Sequence, residues 1–152
     1  MRLLNDILKG IDYLLVEGKL STKVTNIAFD SREVFKASMF VAVRGTQADG
    51  HTFIASAIEK GAIVIVCEEV PANRPENITF IQVKNASAAL GILASNFYDH
   101  PTDDLKLIGV TGTNGKTSIV TLLYHLFKGL GYKCGIISTI RVLIDDKEKP
   151  AT

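Results

Sequence analysis

Apolar residues recur along this chain with two periods. Near the start, Leu3, Leu4, Ile7, Leu8 and Ile11 return every three or four positions, which predicts a helix stopped by Gly10. Residues 13–16 form a short apolar run, read as a strand. Residues 25–29 read as another strand and end in Asp30-Ser31-Arg32. A third strand, 39–43, runs into the turn-forming stretch Arg44-Gly45-Thr46-Gln47-Ala48-Asp49-Gly50. The helical period then returns: Phe53, Ile54, Ala57 and Ile58 share one face, and Gly61 is placed to end the helix. Residues 62–67 are apolar without interruption, as in a strand covered on both faces. After a loop at 71–75 come a strand at 78–83 and a helix of small residues at 86–98. Strands alternating with helices predict an α/β fold with a mainly parallel sheet.

The polar, turn-forming run His100-Pro101-Thr102-Asp103-Asp104 is the best candidate linker, dividing the chain into domains 1–103 and 104–152. Beyond it the pattern restarts: a strand at 105–110, a glycine-rich turn at 111–115 and a helix at 116–130. Ile119, Leu122, Leu123, Leu126, Phe127 and Leu130 line one face of that helix and are predicted to be buried. Gly131 ends it, and a strand begins at 133–138. The fold class is therefore α/β: a small N-terminal α/β domain followed by the first βαβ unit of a second domain, with a P-loop-like glycine-rich turn at 111–115.

Composition narrows the function classes. Of the 152 residues 47% are hydrophobic, enough for a sizeable core. Seventeen Lys plus Arg against 16 Asp plus Glu give a net charge of +1, which offers no footprint for nucleic acid. No apolar run approaches the ~18 residues that span a bilayer, so membrane insertion is not expected. The first ten residues carry Asn5 and Asp6 inside their apolar stretch and do not read as a secretory signal. Cys67 and Cys134 each lie in an apolar run and are read as buried strand thiols. His125 falls on the polar face of its helix, read as solvated. These features fit a cytoplasmic α/β protein that binds a nucleotide or is an enzyme.

The strongest chemical signal is Gly109-Val110-Thr111-Gly112-Thr113-Asn114-Gly115-Lys116-Thr117-Ser118. Backbone N–H groups of such a turn bind phosphate oxygens, and the helix that follows adds the positive end of its dipole. Lys116 is placed to reach the outer phosphates, and the Thr117 hydroxyl to ligate Mg²⁺. The spacing departs from the common G-x-x-x-x-G-K-[ST] pattern, since Val110 stands where the first glycine belongs and Gly109 and Gly112 flank it. Phosphoryl transfer also needs an acidic metal ligand on another strand. Val142-Leu143-Ile144-Asp145-Asp146 is a tempting source. It lies too close in sequence to residues 133–138 for a parallel crossover, so the pair should run antiparallel and carry Asp145 away from the phosphates, into a solvated turn. With that partner acid missing, the 152 residues read as the front part of a longer enzyme, inactive alone.

The run at 109–118 resembles the ATP loop of the Mur ligases, which build the peptide of bacterial cell-wall precursors. Asp30-Ser31-Arg32, with Met39-Phe40-Val41-Ala42-Val43-Arg44-Gly45-Thr46-Gln47-Ala48-Asp49-Gly50-His51-Thr52-Phe53, resembles more narrowly the members that add the third residue. That resemblance implies that Phe29, Ser31, Thr46, Gln47 and Ala48 hold the uridine-diphosphate end of a UDP-N-acetylmuramoyl-dipeptide, with Gly45 and Gly50 letting the backbone approach it. It implies that Gly112, Thr113, Asn114, Gly115, Lys116, Thr117 and Ser118 bind ATP, with Lys116 catalytic and Thr117 on Mg²⁺. The implied reaction activates the substrate carboxylate as an acyl phosphate and joins it to a diamino acid. A sibling Mur ligase, folylpolyglutamate synthetase and a non-catalytic nucleotide-binding module remain alternatives.

Overall fold

A computed structural model describes residues 1–45, 48–144 and 147–149. The chain divides into two compact units, Met1–Leu105 and Lys106–Thr152.

The first unit contains β1 (Arg2–Leu3), α1 (Leu4–Ile7), β2 (Tyr13–Glu17), β3 (Lys23–Val24), β4 (Asn26–Ala28), β5 (Ser38–Val41), α2 (Ile54–Glu59), β6 (Ala62–Cys67), β7 (Thr79–Val83) and α3 (Ala86–Tyr98). Short 3₁₀ turns occupy Ser31–Glu33, Gly50–Phe53 and Pro101–Asp104. Five strands form one sheet in the order β2-β7-β6-β5-β4. β4 to β7 are parallel, and β2 closes one edge antiparallel to β7. The expected parallel sheet is thus present, and its strands read as near-continuous apolar runs because both faces are covered. Alternate side chains go to opposite sides. Met39, Val41, Val64, Val66, Ile81 and Val83 pack with Leu4, Ile7 and Leu93 on one face. Phe40, Ala42, Ile65, Cys67 and Phe80 pack with Val34, Ile54 and Ala57 on the other. Each large side chain taken fully out of water contributes about 1.5–3 kcal/mol.

The N-terminal helix is shorter than its periodicity predicts. Leu3 belongs to β1, pairing with Lys23, and α1 ends at Ile7. The Asn96 amide explains the early stop: its Nδ2 donates to the carbonyls of Ile7 (2.8 Å) and Lys9 (2.7 Å), taking up acceptors at the point where a longer helix would use them. Leu4, Ile7 and Leu8 are buried all the same.

The second unit contains α4 (Lys116–Gly129), β8 (Gly135–Ile137), β9 (Val142–Ile144) and β10 (Lys147–Lys149). The three strands form an antiparallel meander in the order β10-β9-β8. β8 and β9 run antiparallel as the short connection requires, with Ile136 opposite Leu143. Asp145 lies outside the described residues. Two expectations fail here. Residues 105–110 join no sheet among the described residues, and Leu105, Leu107 and Ile108 are exposed, so the βαβ unit lacks its first strand. A strand exists through its ladder, and every strand of this unit is paired within the meander. The apolar face of α4 is also uncovered: Ile119, Leu122, Leu126 and Leu130 are 46–70% exposed, and Tyr124 is the helix residue that is buried. Cys134 precedes β8 and is only partly buried, unlike Cys67, whose thiol is pushed up to about 11 by burial. Among the described residues no helix is long and apolar enough to cross a membrane.

Candidate functional site: an amide-lined loop and the carboxyl edge of the sheet

Two regions carry chemistry. The first is the turn into α4. Gly112 has φ +148° and Gly115 has φ +76°, values that side chains strongly resist, so glycine permits this path. Gly115 is the N-cap of α4 and has no side-chain oxygen to cap the first turn. Among the described residues, the amides of Thr111, Gly112, Thr113, Asn114, Gly115, Lys116, Thr117 and Ser118 donate to no protein acceptor, and the first bond of the helix runs from the Ile119 amide to the Gly115 carbonyl at 2.9 Å. Eight successive donors are therefore available at the positive end of a 14-residue helix, an arrangement suited to an anion. The Lys116 ammonium folds back over the turn and donates to the carbonyls of Gly112 and Thr113. His125 is exposed, with its ring edge-on to Tyr124.

The second region is the carboxyl edge of the parallel sheet, where α/β proteins gather their ligands. After β4, Phe29 is 55% exposed and Ser31 opens a 3₁₀ turn. Asp30 caps that turn. Its carboxylate accepts from the Arg32 amide (2.8 Å) and twice from Arg32 Nε (3.0 and 2.9 Å). Those bonds from Arg32 hold the Asp30 carboxyl down at about 2. Lys60, at the end of α2, donates from Nζ to the Ser31 carbonyl at 2.9 Å.

After β5 the chain makes an excursion closed by an Arg44–Asp49 bridge and by the Gly45 amide donating to the Ala48 carbonyl at 2.9 Å. Thr46 and Gln47 lie outside the described residues; Ala48 is exposed. Gly50 has a role within the loop itself. A Cβ there would stand 2.6 Å from the Val43 carbonyl oxygen and 2.7 Å from its nitrogen. A Cβ at Gly45 would lie 3.0 Å from the Ala48 carbonyl. Both glycines make room for the loop's own backbone.

Sequence reasoning passes over the groups that fix this loop. Asp49 Oδ1 accepts from the His51 amide (2.9 Å) and pairs with His51 Nδ1 (2.7 Å). These two bonds hold the Asp49 carboxyl below the usual carboxylate range. His51 Nε2 accepts the amides of Glu68 (3.0 Å) and Glu69 (3.3 Å), just past β6. Arg44 lies 2.5 Å from Glu69, 3.5 Å from Glu68 and 3.7 Å from Asp49. His51 and Glu68 stand 17 positions apart, so no local pattern announces the contact; the run Asp49-Gly50-His51 is its only trace in the sequence.

A parallel sheet with loops gathered at its carboxyl edge, joined in sequence to a free-amide turn with Lys-Thr, defines an α/β protein with a turn suited to an anion. The chain belongs to the Mur ligase family: the model of that family's catalytic domain matches residues 23–98, half of the sequence, within the first unit. It is similar to the UDP-N-acetylmuramoyl-L-alanyl-D-glutamate–2,6-diaminopimelate ligase of Cytophaga hutchinsonii, 53% identical over 150 residues, 98% of this chain and 31% of that protein. Among solved structures, the MurF ligase of Thermotoga maritima in complex with ADP is 32% identical, with a TM-score of 0.52 over 71% of this chain and 24% of that one. A UDP-N-acetylmuramoyl-L-alanyl-D-glutamate–2,6-diaminopimelate ligase structure superposes with a TM-score of 0.69 over 94% of this chain and 28% of that one; at 21% identity it shows the shared fold. The chain thus spans less than a third of the length of these relatives.

Proposed function

We propose that this chain supplies the UDP-substrate domain and the ATP loop of an ATP-dependent amide ligase that adds a diamino acid to UDP-N-acetylmuramoyl-dipeptide. The observation that carries the proposal is the row of eight unpartnered amides at 111–118 with the Lys116 ammonium folded over them. The 53% identity to a diaminopimelate ligase supports 2,6-diaminopimelate as the diamino acid.

In this reading Gly112, Thr113, Asn114, Gly115 and Ser118 surround the phosphates of ATP with main-chain donors. Lys116 leaves its carbonyl partners for the β- and γ-phosphate oxygens, where its charge offsets the charge that builds up during transfer. The Thr117 hydroxyl, without a partner among the described residues, would hold Mg²⁺ together with the phosphates. When bound, the ion neutralises oxygens on the β- and γ-phosphates. The γ-phosphoryl group passes to the terminal carboxylate of the dipeptide, giving an acyl phosphate and ADP. The amine of the diamino acid attacks the acyl carbon and expels inorganic phosphate, leaving the amide. At the sheet edge, Phe29 offers an exposed ring for the uracil base. Ser31 and Gln47 supply hydrogen bonds to the nucleotide, with Thr46 and Ala48 as further contacts.

Isothermal titration tests both halves. UDP-N-acetylmuramoyl-dipeptide and Mg-ATP should each bind the chain saturably. The double variant Ser31→Ala/Gln47→Ala should weaken the first about tenfold or more and leave the second unchanged; Lys116→Ala should do the reverse, as expected for a lost charged hydrogen bond. Unchanged affinity in either variant removes the corresponding assignment.

A further inference from the structure

We infer that His51 is a positioning residue for the nucleotide loop, and that it does this work only as the neutral ring protonated on Nδ1. The inference rests on the UDP-site reading above. Its geometry is independent of that reading.

The ring is largely buried, with 14% of the side chain exposed. Nε2 faces two backbone N–H groups, those of Glu68 and Glu69. A nitrogen that receives two donors must present its lone pair, so the proton resides on Nδ1 and is donated to Asp49 at 2.7 Å. The tautomer thus follows from the hydrogen-bond network. The contact with Asp49 is accordingly a hydrogen bond to a neutral ring, not an ion pair.

Three segments meet through this imidazole. Asp49 closes the excursion that begins at Arg44 and includes Thr46, Gln47 and Ala48. Glu68 and Glu69 follow the end of β6. Glu68 reaches further: its Oε1 accepts the amide of Ala86, the first residue of α3, at 2.9 Å. His51 therefore ties the excursion to the adjacent strand end and, through Glu68, to the start of a helix. With the ring removed, the loop keeps its base at Gly50 and the Arg44 contacts with Glu68 and Glu69, but loses both acceptor bonds to the backbone after β6.

The charged groups facing the ring are Asp49 and Arg44 from its own segment and Glu68 and Glu69 from the segment after β6. Asp49 favours a proton on the imidazole, and Arg44 opposes it. The two amides decide the matter: protonating Nε2 would set an N–H against two N–H groups and abolish both acceptor bonds.

UDP is the probe, titrated into the intact chain. His51→Asn keeps a donor near Asp49 and lacks an acceptor that reaches the Glu68 and Glu69 amides. His51→Gln carries its carbonyl oxygen out to the Nε2 position. Loss of the two acceptor bonds should weaken UDP binding about tenfold in His51→Asn, and His51→Gln should restore it to within about threefold of the parent chain. Circular dichroism melts establish that both variants fold, and long-range ¹⁵N–¹H correlation should show the Nδ1–H tautomer at neutral pH in the parent. Parent-like UDP affinity in a folded His51→Asn overturns this inference and leaves the UDP site standing. An imidazolium or an Nε2–H ring at neutral pH overturns it whatever UDP does. A parent chain that does not bind UDP removes the UDP-site reading and this role with it.

Discussion

Gly50 occupies a spot where the Val43 backbone leaves no room for even a methyl group, while its amide donates back to the Val43 carbonyl at 2.9 Å. Because the neighbour is backbone, it cannot swing aside. Gly50→Ala should lower stability by about 1–3 kcal/mol, read as a lower urea midpoint with an unchanged slope. Asp30 makes a prediction in pH. Its carboxyl is held at about 2, below its unfolded value of ~3.9, so it contributes stability that is fully present above about pH 4. That contribution is lost as pH falls through about 2. Asp30→Asn should flatten the stability profile over this window, modestly, since solvent screens an exposed pair. The Asp30–Arg32 pair spans two positions, a distance that local sequence can cover. Local sequence could not disclose His51 against Glu68 and Glu69, because that contact exists only after β5 and β6 lie side by side.

At the level of elements, α3 shows how local chemistry and packing combine. Asn85 accepts the Ala88 amide at 2.8 Å and starts the helix; Ala86, Ala89 and Leu93 bury its inner stripe. Asn85→Ala should cost about 0.5–2 kcal/mol, measured by thermal or urea unfolding, with the sheet otherwise intact. The strands at 62–67 and 79–83 were legible because a continuous apolar run needs cover on both faces, and the sheet interior provides it. Residues 105–110 carry the same apolar signal without a ladder to join. The signal records what a segment can bury, and pairing requires a neighbour. The same distinction explains α1, where Leu4, Ile7 and Leu8 are buried as their spacing predicts while the helix itself is cut short by β1 and the Asn96 amide.

On the scale of the whole molecule, the chain corresponds to 31% of the length of its Cytophaga hutchinsonii relative, and the second unit has the look of an incompletely covered surface. Leu122, Leu126 and Leu130 are exposed on α4, as is Ile137 on β8, a concentration of apolar side chains unusual for water-facing structure. The chain should therefore raise the fluorescence of the apolar dye ANS in its native state. Leu122→Lys/Leu126→Lys should reduce that signal without lowering the melting temperature of the first unit. A native chain silent toward the dye would contradict the exposure.

One bond in the first unit has a mechanical consequence. Lys60 anchors the Ser31 carbonyl to the end of α2, and the excursion from Arg44 to Gly50 enters the same short helix through the turn at Gly50–Phe53. Both flanks of the proposed uridine cradle are thus moored to a single pier. In the proposed reading a base seated between those flanks would bear on one short helix from two sides, and Lys60 is the side chain that links the Ser31 flank to it.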